Sequence, residues 1–471
     1  MAELIRIKAS VRRDMDSAAM GIDTDRAVAK YLTERIPRYT SYPTAPHFST
    51  AVGPAAYRNW LAALPESDRL SLYLHVPFCK TLCWYCGCNT SVTRHREPIE
   101  RYVGVLEREI AAVAALAGSR RVAHVHWGGG TPTIVGPALF LRLMALLRNR
   151  FDVEAGAEVA VEVDPRRLDT AMADALRQAG VTRASLGVQT FNPDAQKAVA
   201  RVQSLAVTAR CVDLLRGARI EAISLDLLYG LPHETMASCE ASVEAALTLA
   251  PSRFSVFGYA HVPAVMKHQR VIDAATPPGP DERLRQEQAI GDALVRAGYI
   301  RIGLDHYARP GDSLAQARMD GQLRRNFQGY TDDPADALIG FGASAIGQSV
   351  WGYVQNAADI KAWRERIEAG DLATVRGLAL TEDDGLRGEI IERLMCDLLV
   401  DVPAVLRRRG FPADFLNSAL DTLRPLVADG LARVDHGVIT VPEAMRALVR
   451  RVASAFDAYL DPAAGRHAVA V

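Results

Sequence analysis

The chain has 471 residues, with 55 basic and 55 acidic side chains and no formal net charge, which argues against a broad electrostatic footprint for nucleic acid. Its 49% hydrophobic and 23% charged residues suit a globular protein with one large domain and one smaller. No apolar run reaches membrane-span length, Met1 to Lys8 hold no signal-peptide core, and seven cysteines are too few for a secreted disulfide scaffold, so a cytoplasmic protein is expected.

Residues 1–52 carry few periodic elements. Pro37-Arg38-Tyr39-Thr40-Ser41-Tyr42-Pro43-Thr44-Ala45 reads as an extended, ordered segment. It suits either a linker lying on the catalytic domain or a lid over a substrate site.

Leu70–Val76 is apolar, lacks a helical period and ends at Pro77, so it reads as a buried strand. Cys79, Cys83 and Cys86 follow at C-x3-C-x2-C spacing, with Cys88 two positions on. Soft thiolates on one loop suit an iron–sulfur cluster or zinc. Three cysteines would leave one iron of a four-iron cluster open to a small molecule. Zinc with Cys88 as fourth ligand is the rival. It is disfavoured because structural zinc sites usually clamp two separated ligand pairs. A disulfide framework fits poorly, because bridges between such close thiols would be strained.

Further strands are expected at Val122–Trp127, Glu158–Val163, Arg183–Gly187, Ala222–Leu228 and Arg253–Tyr259. Helices are expected at Ile99–Ala117, Pro137–Arg150, Asp169–Ala179, Ser204–Arg216 and Thr235–Leu249. Six strand–helix alternations imply an α/β fold, a partial parallel (β/α)6 barrel open on one side. Such folds gather chemistry at the C-terminal ends of their strands. There the sequence places Gly128-Gly129-Gly130-Thr131, Glu162 with Asp164, Gln189, Asp226 with Tyr229-Gly230, and Tyr259-Ala260-His261. Each has a plainer reading: a tight glycine turn, a carboxylate paired with an arginine, a strand cap, a solvated Arg201 or a core His75.

Gly303–Pro310 and Arg324–Thr331 bring aromatics and arginines suited to a ligand rich in carboxylates, or only a surface connection. From residue 361 helices take over, near Leu386–Leu399 and Asp414–Leu423. A hairpin turning at His436-Gly437 and a final amphipathic helix over about Glu443–Leu460 follow. A winged-helix shape would invite a DNA-binding reading, which the neutral charge opposes. The expected domains are an N-terminal segment over the active site (1–52), the partial-barrel catalytic domain with substrate loops (53–360) and a helical C-terminal domain with a small hairpin (361–471).

C-x3-C-x2-C after a first strand is similar to the signature of the radical S-adenosylmethionine (SAM) enzymes. The extended motif, from Tyr73 through His75-Val76-Pro77-Phe78-Cys79 to Gly87-Cys88-Asn89, resembles the oxygen-independent coproporphyrinogen III oxidases. The resemblance runs along nearly the whole chain, through PRYTSYPTA, GGGTPT, EVDP, GVQTFN, DLLYGLP and RNFQGYT. It implies a [4Fe–4S] cluster on Cys79, Cys83 and Cys86, with Cys88 not a ligand. Gly129 and Glu162 would hold the cluster-bound SAM, lined by Tyr73, Tyr85 and Ile346. A second SAM would lie against Gly130, Thr131, Gln189, Arg201, Asp226 and Ala260. The implied reaction is the anaerobic oxidative decarboxylation of coproporphyrinogen III to protoporphyrinogen IX in haem biosynthesis. A low-potential electron donor, an electron acceptor, a monomeric state and no nucleic-acid or membrane partner are expected with it. Two rivals are a haem chaperone on the same scaffold, which lacks RNFQGYT, and a DNA-binding regulator with an iron–sulfur sensor.

Overall fold

The structure, a computed structural model, describes residues 30–460. The chain divides into two compact units, one of residues 44–381 and one combining the N-terminal segment up to Pro43 with the chain from Glu382 onward. The larger unit therefore runs about twenty residues beyond the expected boundary at 360. Helix Ile360–Glu368 and strand Thr374–Ala379 belong to it, because that strand pairs with Gly352–Asn356 at the edge of the main sheet.

The sheet's parallel strands are β1 (Arg69–Val76), β2 (Arg121–Gly129), β3 (Asp152–Val163), β4 (Arg183–Gln189), β5 (Ala222–Tyr229) and β6 (Arg253–Gly258). They pair in sequence order, as the partial-barrel reading expects. Antiparallel β7 (Ile300–Ile302) and β8 (His306–Ala308) extend the β6 side. On the other side β9 (Ala337–Phe341) pairs parallel with β1, and β10 (Ile346–Ser349), β11 (Gly352–Asn356) and β12 (Thr374–Ala379) continue antiparallel. β9 is a seventh parallel strand that the six-fold alternation did not include.

The covering helices are α1 (Glu97–Ala117), α2 (Pro137–Arg150), α3 (Thr170–Gln178), α4 (Leu205–Gly217) and α5 (Met236–Leu247). Asp169, Ser204 and Thr235, expected as first helical residues, are N-caps whose side chains accept from the first-turn amides of α3, α4 and α5. Along β1, Leu70, Leu72 and Leu74 are fully buried, while Ser71 and Tyr73 alternate with them. Trp127 of β2 is likewise buried, against Phe140 of α2 with ring centroids 4.5 Å apart. Apolar side chains thus face the helices, and the opposite face of the sheet is left to polar ones.

In the smaller unit, the segment beginning at Lys30 is part of the fold. The Tyr39 hydroxyl donates to Asp457 at 3.0 Å, and the Ala458 amide donates to the Tyr42 hydroxyl at 2.9 Å. The expected hairpin forms between Arg433–Asp435 and Val438–Thr440, with His436 and Gly437 both at positive φ. The expected final helix does not run through. It breaks into a 3-10 turn at Glu443–Leu448, a short helix at Val449–Ala453 and a second 3-10 turn at Ser454–Phe456. The Ser454 hydroxyl donates back to the Arg451 carbonyl at 2.8 Å, and Arg450 donates to the Ile36 carbonyl at 3.1 Å. The first of these, a local bond to a backbone carbonyl, competes with a regular helical ladder. The part of the expected N-terminal lid at residues 1–29 lies outside the described residues.

One buried carboxylate ties α1 to the far side of β1. Glu109 is 2% exposed and accepts from the Gly342 amide at 2.6 Å and from the Asn356 side chain at 2.7 Å. Burial pushes its pKa up to about 7, against the pull of those donors. A carboxyl raised in the folded state loses its stabilising contribution as pH climbs from the ordinary 4.5 through 7. Glu109→Gln should therefore gain on the wild type between pH 5 and pH 8, by about 2.5 kcal/mol. Urea unfolding of both proteins at the two pH values checks this, and equal pH dependence would refute it.

Candidate active site

The cysteine loop leaves β1 at Pro77 and is bonded on several sides. The Ser91 amide donates to the Pro77 carbonyl at 2.8 Å, and the Thr93 amide to the Cys79 carbonyl at 3.0 Å. His75 is buried with its pKa lowered by that burial, which keeps the ring neutral at physiological pH. Its Nε2 lies 2.9 Å from the Asn89 carbonyl, which can only accept, so Nε2 carries the proton. Nδ1 then accepts from the Tyr73 hydroxyl at 3.0 Å. His75 is thus the core histidine of the plainer reading, and it also clamps the end of the loop.

The segment after β6 holds the middle of the loop. His268 Nε2 donates to the Cys86 carbonyl at 2.7 Å. Gln269, 1% exposed, donates to the carbonyls of Tyr85 at 3.0 Å and Ala260 at 3.2 Å. The Trp84 amide reaches the Val199 carbonyl at 2.9 Å, and Trp84 and Tyr85 pack against Ala195, Val199, Leu231, Tyr259 and Ile272. Tyr85 and Ala260, expected in two different parts of the site, therefore share one side chain as donor.

Each of the three thiols has a donor. The Thr90 hydroxyl lies 3.4 Å and the Thr131 hydroxyl 3.5 Å from Cys79 Sγ. Arg201 Nη1 and Arg166 Nη2 lie 3.5 and 3.8 Å from Cys83 Sγ. The Cys88 amide donates to Cys86 Sγ at 3.4 Å. The Cys86 thiol is lowered to about 6, first by the Cys88 side chain and against burial, while burial raises Cys79. Thiols on one loop with N–H and O–H donors aimed at sulfur fit an iron–sulfur cluster. Among the described residues, no three His, Cys, Asp or Glu side chains converge on one point as ligands of a single ion.

The glycine turn is built against this loop. The Gly130 amide donates to the Val76 carbonyl at 2.9 Å and the Thr131 amide to the Phe78 carbonyl at 2.8 Å. Gly129 has φ +112, and a Cβ there would stand 2.7 Å from the His75 ring. At Gly130 a Cβ would meet the Phe78 carbonyl oxygen at 2.6 Å. Only glycine allows this approach. Glu162 accepts from the Gly129 amide at 3.0 Å, and its other oxygen lies 3.4 Å from His126 Nε2. His126 stacks on Tyr73 at 5.8 Å. With 40% of its side chain exposed, Glu162 keeps oxygen surface free for a ligand. Ile346 begins β10, whose backbone passes Gly340, the register partner of Tyr73.

Asp226, in register with Gly187, accepts from the Ser185 hydroxyl at 3.2 and 3.3 Å. Burial and then the charge of Glu162 push its pKa up to about 6. Arg201 is a buried residue, not the solvated one of the plainer reading, and its carboxylate neighbour is Asp164 rather than Asp226. Its guanidinium lies 3.9 Å from Asp164, donates to the Gly187 carbonyl and leaves a buried Nε without an acceptor. Gln189 stands at φ +71, a strained value for a non-glycine residue, and its side-chain nitrogen lies beside Gly187.

Beneath these residues lies a polar cavity of about 110 Å³, lined among others by His124, Glu158, Arg183, Arg253, Asn326 and Gln328. Its ions are paired, with Arg183–Glu158 at 3.0 Å and Arg253–Asp312 at 2.6 Å. Arg324–Asn326 and Gly329–Thr331 form a hairpin on its wall. Of that hairpin's arginines, Arg325 stacks on Tyr330 at 4.3 Å and lies 3.8 Å from Asp305, and Arg324 is exposed. Neither arginine of the hairpin lines this cavity, whereas Asn326 and Gln328 do. His126, Arg166, His268 and Gln269 were not singled out from the sequence. Arg166 stood two residues beyond the noted Asp164, and the other three carry no spacing signal.

A profile of the radical SAM superfamily matches residues 73–246. The chain is 52% identical over 448 residues to an oxygen-independent coproporphyrinogen III oxidase of Bradyrhizobium diazoefficiens, covering 95% of this chain and 99% of that one. It is 40% identical over 440 residues to the Escherichia coli protein of the same name, covering 93% and 96%. The solved structure of coproporphyrinogen III oxidase from Escherichia coli, a radical SAM enzyme, superposes with a TM-score of 0.88 at 40% identity, covering 93% of this chain and 100% of that one. With its thiol loop, glycine turn and strand-end carboxylates at one end of a parallel sheet, the chain belongs to the oxygen-independent coproporphyrinogen III oxidases of the radical SAM superfamily.

Proposed function

We propose that this chain converts coproporphyrinogen III to protoporphyrinogen IX without oxygen, by radical SAM chemistry in haem biosynthesis. The observation that carries the reading is three donor-bonded thiols on one loop, set beside the glycine turn and Glu162, on a chain of this family. When bound, the reduced [4Fe–4S] cluster and SAM supply a 5'-deoxyadenosyl radical, which takes a hydrogen from the β-carbon of a propionate; carbon dioxide and one electron then leave, and a vinyl group remains. Cys79, Cys83 and Cys86 would hold the cluster, and the Cys88 amide donates to the Cys86 sulfur. The Gly129 backbone and Glu162 hold SAM, with Tyr73, Tyr85 and Ile346 around it. Relatives bear the oxidase name, and this chain carries RNFQGYT, so the haem-chaperone reading is not favoured.

A second SAM fits against Gly130, Thr131, Gln189, Arg201, Asp226 and Ala260. Its support is local: the buried Arg201 Nε without an acceptor, and Asp226 with a raised pKa in reach of a ligand ammonium. Turnover requires a low-potential electron donor and an acceptor for the electrons released. The seven free thiols favour a reducing compartment, the cytoplasm, and no helix among the described residues is long and apolar enough to cross a membrane. The zero formal net charge argues against a nucleic-acid partner, and the chain is proposed to act as a monomer.

The decisive assay is anaerobic, with reconstituted cluster, SAM, dithionite and coproporphyrinogen III. Carbon dioxide and a divinyl product are expected, and stoichiometric haem binding without turnover would favour the chaperone. Cys79→Ala, Cys83→Ala and Cys86→Ala should each lose bound iron, while Cys88→Ala keeps it. Iron counting decides, and a cluster lost in Cys88→Ala would remove the three-ligand assignment. Glu162→Ala should keep its iron but bind SAM roughly tenfold to a hundredfold more weakly, the scale of a lost charge-assisted hydrogen bond. Equilibrium dialysis with labelled SAM measures this, and normal binding would make Glu162 structural.

A further inference from the structure

Asp164 and Arg166 lie on the turn after β3, on the cysteine side of the sheet. Arg166 grips Asp164 with both edges of its fork, Nε to Oδ1 at 2.9 Å and Nη2 to Oδ2 at 2.7 Å. Its own amide adds a third bond to Oδ1 at 3.1 Å. Their side chains are only 16% and 11% exposed. A bidentate pair two residues apart fixes the guanidinium plane. That plane puts Nη2 within 3.8 Å of Cys83 Sγ, a sulfur that Arg201 Nη1 also approaches, at 3.5 Å.

Around one buried sulfur there are thus two guanidinium groups and one carboxylate, a local surplus of positive charge. Among the described residues the hydrogen-bond donors at Cys79 and Cys86 are neutral, the hydroxyls of Thr90 and Thr131 and the amide of Cys88, and the charges of Arg201 and His268 act on Cys86 without a direct bond to its sulfur. A turn that needed only a salt bridge would be complete with Arg166 and Asp164. It would not need the fork aimed at a thiol from another strand end. Reduction of a cluster adds one electron, and hydrogen bonds and positive charge at its sulfurs favour that form. Low local dielectric strengthens the effect.

We propose that Arg166 is a positioning residue for the cluster: clamped by Asp164, it holds a positive charge against the Cys83 sulfur and raises the potential at which the cluster takes up its electron. Asp164 is the counterweight, fixing Arg166 in place and limiting how far the potential rises. The proposal rests on Cys83 being a cluster ligand, and loss of iron in Cys83→Ala tests that premise separately.

The test uses the full chain with reconstituted cluster and no SAM. The reduced fraction is followed by electron paramagnetic resonance during titration with dithionite and redox mediators. Arg166→Gln should keep the iron content of the wild type. At a fixed potential its ratio of reduced to oxidised cluster should fall about tenfold, a shift of about 59 mV for a one-electron couple. Arg166→Lys, which keeps the charge, should recover most of that fall. Asp164→Asn removes a negative charge beside the same sulfur while its remaining oxygen still accepts from the Arg166 amide and Nε, so Arg166 stays in place and the ratio should move the opposite way. Opposite signs in the two variants are the signature, because simple loosening of the turn would move both together. An unchanged ratio in Arg166→Gln, or a shift of the same sign in Asp164→Asn, overturns the proposal. If Arg166→Gln does not hold its cluster, the sign in Asp164→Asn decides. Loss of iron from both variants in folded protein also overturns it, since the pair would then serve only to build the turn.

Discussion

Apart from a two-residue parallel pairing of Phe78–Cys79 with Ser91–Val92, the cysteine loop lacks regular structure, so the site depends on what bonds to its backbone. A carbonyl or amide there needs a partner like any other. His75 takes the Asn89 carbonyl, His268 that of Cys86, Gln269 that of Tyr85, and the Val199 carbonyl takes the Trp84 amide. These partners come from β1, the segment after β6 and the chain after β4. The loop is therefore shaped by the order of the strands in the sheet, and a local change at any of those strand ends would reach the thiols. The Tyr102 hydroxyl adds a tie from α1, donating to the His75 carbonyl at 2.7 Å and accepting from the Ala343 amide at 3.0 Å.

The carboxylates of the site differ through their neighbours. Asp164 is buried, which alone would raise it, yet the Arg166 hydrogen bonds and the Arg201 charge hold it below the usual range. Asp226 is also buried but faces another acid, Glu162, and hydroxyl donors, so it rises to about 6. One is a permanent anion that orders arginines. The other sits near the point where a ligand cation would decide its charge. The same logic gives the two groups different duties on strands that both pair with β4.

The barrel interior is polar, unlike the packed apolar layers of a closed eight-stranded barrel. Ser71, His124, Glu158, Arg183 and Arg253 face a cavity, and their charges are matched in pairs. Apolar burial is carried by the opposite face of the strands, by Leu70, Leu72, Leu74, Val125, Trp127 and Phe254. This division lets the interior accept a polar cofactor and an anionic substrate without removing the core that holds the sheet together.

Six strands, five helices, the thiol loop and the polar strand ends were legible in the sequence, because each is a local pattern. Apolar runs bounded by glycine or proline, a 3.6-residue period and a cysteine spacing are all written within a few residues. So was the hairpin at His436-Gly437, where two positive φ values are a local demand. β9 was not legible: Ala337–Phe341 is five residues long, and its parallel pairing with β1 joins segments more than 260 positions apart. The partner of Arg201 was not legible either, since Asp164 and Asp226 are both strand-end carboxylates, and only the fold brings the former within 3.9 Å. His268 and Gln269 look like any polar pair on a loop until that loop is laid against the cysteines. Local periodicity and spacing thus determined the kind of fold and the chemistry of the loop. Which charges meet, and which side chain satisfies which carbonyl, was decided by tertiary packing, because those bonds depend on distances between strand ends that no local pattern encodes.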